Sequence, residues 1–129
     1  NVFGSFKGKK VSILGLAFKP QTDDIRESPA IDIIKGLLKQ KAKITVYDPE
    51  ANSEAKKIFS NNIDYAKNSS ECLKGSDITI IVTEWNEFRS LDPKYILKLM
   101  RDNKLVDLRN IFEPNIMKKA GINYLSIGR

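Results

Sequence analysis

KVSILGLAFKPQTDDIRESPAIDIIKGLLKQKAKITVYD, residues 10–48, is the stretch on which the fold turns. It opens with a run whose core, Val11 to Leu14, is largely apolar, and it closes with a second such run at 43–48. Strands without polar–apolar alternation belong in a sheet covered on both faces, as parallel sheets are. Between the two runs the spacing predicts a helix over 28–40. Ser28 is its candidate N-cap and Pro29 takes the first helical position, where a missing N–H has no intrahelical partner to lose. Ala30, Ile33, Ile34, Leu37, Leu38 and the stem of Lys41 form one stripe at helical spacing. Gly36 lowers the local propensity without overturning that pattern. The connection from Gly15 to Ser28 is long against the roughly 2–6 residues usual in such units. It carries Lys19, Asp23, Asp24, Arg26 and Glu27 around Pro20.

The same alternation continues outward. A weak strand is expected at 62–66, a nearly continuous Ile and Val strand at 77–83, and others at 104–108 and 122–127. Helical segments are expected at 53–59, 69–75, 92–101 and 113–121. The third of these opens on Asp92 and Pro93, and the last has Pro114 near its start and Gly121 as its stop. Right-handed crossovers wind such a chain into a single α/β domain, a Rossmann-like, doubly wound and mainly parallel sheet of about six strands. The expected strand order is 3-2-1-4-5-6, and ligands in such sheets sit beyond the carboxyl ends of the strands near the switch between the first and fourth. The residues there are 15–27, 83–89 and Arg109.

At 129 residues the chain can bury one core. Its hydrophobic content of 41% is that of a globular chain and argues against disorder. No apolar run approaches the roughly 20 residues a membrane helix needs, and NVFGSFKGKK does not read as a signal peptide. Residues 1–8 read as a linker remnant and 9–129 as the domain. Asn1, in place of a starting Met, suggests a piece of something longer. Phe3 and Phe6 are out of place in a free tail, so they pack on this domain or on a missing neighbour. One cysteine, Cys72, excludes an internal disulfide and reads as a structural thiol. The absence of histidine removes imidazole bases and the commonest zinc ligand. A net charge of +6 favours anionic partners, but the basic residues are scattered as a solvated face, and nucleic acid is not the expected partner.

A dinucleotide fingerprint requires G-x-G-x-x-G after the first strand. Only Gly15 is present here, so a primary NAD site on this domain is not expected. Asp48 would be the ribose-binding acid in that scheme; beside Pro49 it reads as a turn or cap residue. Lys19, as a mobile point charge, and Arg26, as a forked donor, suit phosphate. The alternative is an ion-pair cluster that ties the loop down. Arg109 either reaches an anion or pairs with Asp107 or a neighbouring acid. Asp23 and Asp24 lack a third convergent ligand for a metal. Trp85 is a core or interface aromatic or a stacking surface for ligand, and Trp85 with Phe88 would be the contact of a purely oligomerising module.

Four blocks, GLAFKPQTDDIRESPAIDII (15–34), VYDPEA (46–51), SDITIIVTEWNEFRSLD (76–92) and VDLRNIFEP (106–114), resemble the UDP-binding domain of the UDP-glucose/GDP-mannose dehydrogenase family. TDDIRESP and TEWNEF resemble the UDP-glucose branch more than the UDP-N-acetylmannosamine branch. The resemblance implies a cytoplasmic enzyme that oxidises the 6-hydroxyl of a UDP-sugar to a carboxylate while reducing two NAD⁺. It also implies further N-terminal NAD-binding and central domains, and a homo-oligomer when full length. In family terms Phe18 and Lys19 contact substrate, Arg26 reaches NAD held by the other domain, and Arg109 contacts substrate. No catalytic residue and no metal ligand falls in this chain, so alone it is expected to be inactive. Where many members carry a glycine before that arginine, this chain has Leu108.

Overall fold

The computed structural model describes residues 5–127. Within them, six strands form one sheet in the order β3-β2-β1-β4-β5-β6, every neighbouring pair parallel. They are β1 (Lys10–Leu14), β2 (Lys43–Tyr47), β3 (Asp64–Tyr65), β4 (Ile78–Ile81), β5 (Lys104–Asp107) and β6 (Asn123–Ser126). Fold class and strand order thus agree with the sequence reading. The strands are shorter than their apolar runs: the last residues of the runs at β1, β2, β4 and β5 enter the carboxyl-edge loops, and the run at β3 gives up Asn62 to a 3-10 turn.

Helices α1 (Pro29–Lys39) and α2 (Asn52–Phe59) follow β1 and β2. Then come α3 (Ser69–Leu73), the one-turn α4 (Asn86–Arg89), α5 (Pro93–Leu99) and α6 (Pro114–Ala120). Two apolar clusters flank the sheet. One joins Val11, Ile13, Ile44, Val46, Ile78 and Ile80 to Ala30, Ile34 and Leu37 of α1 and to Ala55 and Phe59 of α2. The other joins Leu14, Ile81 and Leu105 to Cys72, Phe88, Ile96, Met117 and Tyr124. Side chains alternate across a strand, which is why Ile13 and Leu14 fall on opposite sides.

Sequence and structure part company in three places. Lys41 does not extend the α1 stripe; it is exposed in the turn beyond the helix, at φ 64°. Helix α4 was not expected, because four residues are too few to show a periodicity. Phe88 is fully buried and meets Tyr47 edge to face at 6.1 Å, so it cannot form an outer oligomer contact. Of the two N-terminal aromatics, Phe6 packs against the α1 and α2 cluster, while Phe3 lies outside the described residues. No helix among the described residues is long and apolar enough to cross a membrane.

Candidate functional site

The carboxyl edge of the sheet is built on Gly15, the first residue past β1. Its φ is 99°, and its N–H donates to the carbonyl of Tyr47 at 2.8 Å. A Cβ there would lie 2.4 Å from Oγ1 and 2.6 Å from the backbone nitrogen of Thr83. Glycine is therefore required both by conformation and by the closeness of the β4 loop. Thr83 returns the contact, its hydroxyl donating to the carbonyl of Ala17 at 2.6 Å.

Asp48 follows β2 directly and is 2% exposed. Its Oδ1 accepts the amides of Glu50 and Ala51 at the start of α2, at 2.8 and 2.9 Å. Of the two expected roles this is the turn, since Ala51 is the residue at the N-cap of α2. Its Oδ2 accepts the amides of Leu16 and Ala17 and the indole N–H of Trp85, at 2.8, 3.0 and 3.2 Å. Asp107, at the end of β5, works in the same manner. Its oxygens accept the amides of Arg109, Ile111 and Phe112 and the hydroxyl of Tyr124. Buried carboxylates with this many donors are fully satisfied and hold their loops rigidly.

On this frame the expected site residues separate into two arms. Phe18 and Lys19 project from the first loop, both exposed, Phe18 to 39%. Phe18 and Arg26 line one cleft of about 350 Å³ together with Asp24 and Glu27. Arg26 forks onto Asp24 at 3.0 and 2.9 Å, and this hydrogen-bonded guanidinium holds the Asp24 carboxyl down at about 2. The pair is the ion-pair cluster weighed above. Yet the Arg26 side chain is 87% exposed, which keeps its outer edge open to another molecule.

Arg109 forms the second arm, and its partner is Glu84. Both carboxylate oxygens of Glu84 accept from Nη2 of Arg109, at 2.8 and 2.7 Å. Burial is the largest single influence on Glu84 and raises its pKa, but the Arg109 hydrogen bonds, a backbone hydrogen bond and the charges of Arg109 and Arg89 together outweigh it, and the net shift is downward. Only the Arg109 backbone meets the Asp107 carboxylate. Leu108, in the glycine position of the family motif, packs against the α1-side cluster, and its φ is not positive, so no glycine is demanded there. Glu84 is the residue that reading the sequence missed, since nothing in its spacing ties it to position 109.

The turn does not fit a dinucleotide. The amides of Leu16 and Ala17 are engaged by Asp48, and both side chains are fully buried. No cluster of three or more metal-binding side chains occurs among the described residues.

A loop-built carboxyl edge that carries Lys19, Arg26 and Arg109 but no dinucleotide turn has a counterpart among known proteins. Residues 12–114 match the UDP-binding domain of the UDP-glucose/GDP-mannose dehydrogenase family. The chain belongs to this family. It is 44% identical over 126 residues to UDP-glucose 6-dehydrogenase of Rhizobium meliloti (strain 1021), covering 98% of this chain and 29% of that protein. Against UDP-glucose 6-dehydrogenase TuaD of Bacillus subtilis (strain 168) the identity is 38%, over 99% of this chain and 28% of the relative. A UDP-glucose dehydrogenase from the hyperthermophilic archaeon Pyrobaculum islandicum superposes with a TM-score of 0.78 at 32% identity, over 95% of this chain and 26% of that one. The NDP-N-acetyl-D-galactosaminuronic acid dehydrogenase from Methanosarcina mazei Go1 gives 0.83 at 26% identity, over 97% and 26%. The chain thus spans less than a third of the length of these relatives. The part of the family that it matches is the UDP-binding domain.

Proposed function

We propose that this domain binds the nucleotide sugar of an NAD-dependent UDP-glucose 6-dehydrogenase, which converts UDP-glucose to UDP-glucuronate when the remaining domains are present. The observation that carries the reading is the pair of arms at the carboxyl edge. The exposed Phe18 and Lys19 stand on one loop, and the half-buried Arg109 on another has its guanidinium fixed through a single nitrogen. Lys19 and Arg109 supply positive charge for a diphosphate, and Phe18 an apolar surface. Arg26, 87% exposed, is assigned to a dinucleotide held by another domain, since this domain's first turn does not accept one. In such an assembly the domain positions substrate and helps to exclude water as the crevice closes.

An amide-resolved NMR titration with UDP-glucose at low salt tests the binding. Saturable shifts confined to residues 15–28, 83–89 and the neighbourhood of 109 are expected, and their absence at millimolar ligand overturns the assignment. The similarity to enzymes named for N-acetylated sugars supports a second reading, another nucleotide sugar as substrate. Tighter binding of UDP-N-acetylmannosamine than of UDP-glucose would favour it. The purified chain with UDP-glucose and NAD⁺ is expected to give no NADH. It contains no histidine, and its one thiol, Cys72, is fully buried with its pKa pushed up to about 12 by that burial.

A further inference from the structure

The turn after the first strand is where a dinucleotide-binding sheet offers backbone N–H groups to a phosphate. Here those groups are already engaged by the protein's own anion. Leu16, Ala17 and Trp85 donate to one oxygen of Asp48, and Glu50 and Ala51 to the other. Five N–H groups from three loops converge on a carboxylate that is only 2% exposed. An acid at the end of the second strand would face a ribose in a dinucleotide site. In this chain it has turned inward.

We infer that Asp48 is the positioning residue of the ligand edge. Its carboxylate fills the phosphate position of the first turn and splints the loop bearing Phe18 and Lys19 to the loop bearing Glu84 and Trp85. The inference rests on the nucleotide-sugar reading above and deepens it. With the backbone amides committed to Asp48, ligand phosphates meet the side chains of Lys19 and Arg109 instead. The link through Trp85 sets the distance between those two arms, because Glu84, the neighbour of Trp85, holds Arg109.

Two substitutions separate the parts. Asp48→Asn keeps the shape but turns half of the acceptor into a donor. Trp85→Phe keeps the ring and removes only the indole N–H. The readouts are amide hydrogen exchange without ligand and NMR titration with UDP as the probe. In Asp48→Asn the amides of Leu16 and Ala17 should exchange at least about tenfold faster, while those of Val11 and Ile80 keep their wild-type protection. In Trp85→Phe those two turn amides stay protected, and UDP should bind about fivefold more weakly. In the wild type, UDP should move the signals of Lys19 and Arg109 clearly further than the Leu16 and Ala17 amides.

Turn amides that shift with UDP as far as Lys19 would mean that phosphate displaces Asp48, and the inference falls. Unchanged exchange in Asp48→Asn, or unchanged UDP affinity in Trp85→Phe, overturns it as well. If Asp48→Asn does not fold, Trp85→Phe and the wild-type shift map decide. A wild-type chain that binds no UDP removes the nucleotide-sugar reading, whereas the exchange comparison still tells whether Asp48 holds the turn.

Discussion

Gly15 is the residue at which the edge admits least change. Its left-handed φ and the nearness of Thr83 act together, so alanine there carries both backbone strain and a clash with backbone atoms. Gly15→Ala should lower stability by about 3 kcal/mol or more, read as a shift of the urea midpoint at constant slope. Arg26→Ala should leave that midpoint unmoved, because the Asp24 pair is exposed and screened. Much of this was legible in the sequence. Gly15 directly follows the first apolar run, and Asp48 beside Pro49 reads as a turn or cap residue, whereas Asp107 reads only as a possible partner of Arg109 and not as the acceptor that holds its loop. Glu84 was not legible, since its bond to Arg109 joins the ends of two strands that only the folded sheet brings together.

Among the elements, three helices begin with the same device. Ser28, Asp92 and Glu113 each accept a backbone N–H from two residues on, and each is followed by proline. The proline fixes the entry angle and the side chain satisfies one of the first-turn donors. Helix α1 is the case with most at stake, because its first turn is where the long loop returns to the core. Ser28→Ala should cost about 1 kcal/mol, measured by the same denaturation assay, with the loss attributable to the cap alone. These starts were readable from residue types. The strand ends were not, because a residue such as Val82 is as apolar and buried as the strand before it, and still donates its N–H to Leu14, yet lies past the end of β4.

For the molecule as a whole, the ionisable groups fix a pH range of stability. Asp77, hydrogen-bonded by Arg101, and Asp102, hydrogen-bonded by Lys104, have lowered pKa values, and so, on balance, does Glu84. Their contribution is present above the ordinary carboxylate range of 3.8 to 4.5 and is lost as the pH falls through the lower folded values. Burial raises the Cys72 thiol to about 12, and burial together with the Glu87 hydrogen bond raises the Tyr47 phenol to about 12. For these acids the fold favours the protonated form. Stability therefore falls as the pH climbs from their ordinary values of 9 and 10 toward 12. Thermal melts across pH should give a plateau flanked by two declines, and a monotonic curve would contradict this picture.

Because every strand runs the same way, the loops divide by end. Those at 15–28, 48–52, 83–86 and 108–113 crowd the carboxyl edge, while the turns around Lys41, Gly75 and Gly121 lie at the opposite one. Gly121 and Lys41 are exposed there. A dye or a surface tether attached through that rim would leave the other rim unobstructed, so the parallel sheet supplies a ready orientation for immobilising the domain with its carboxyl edge facing solution.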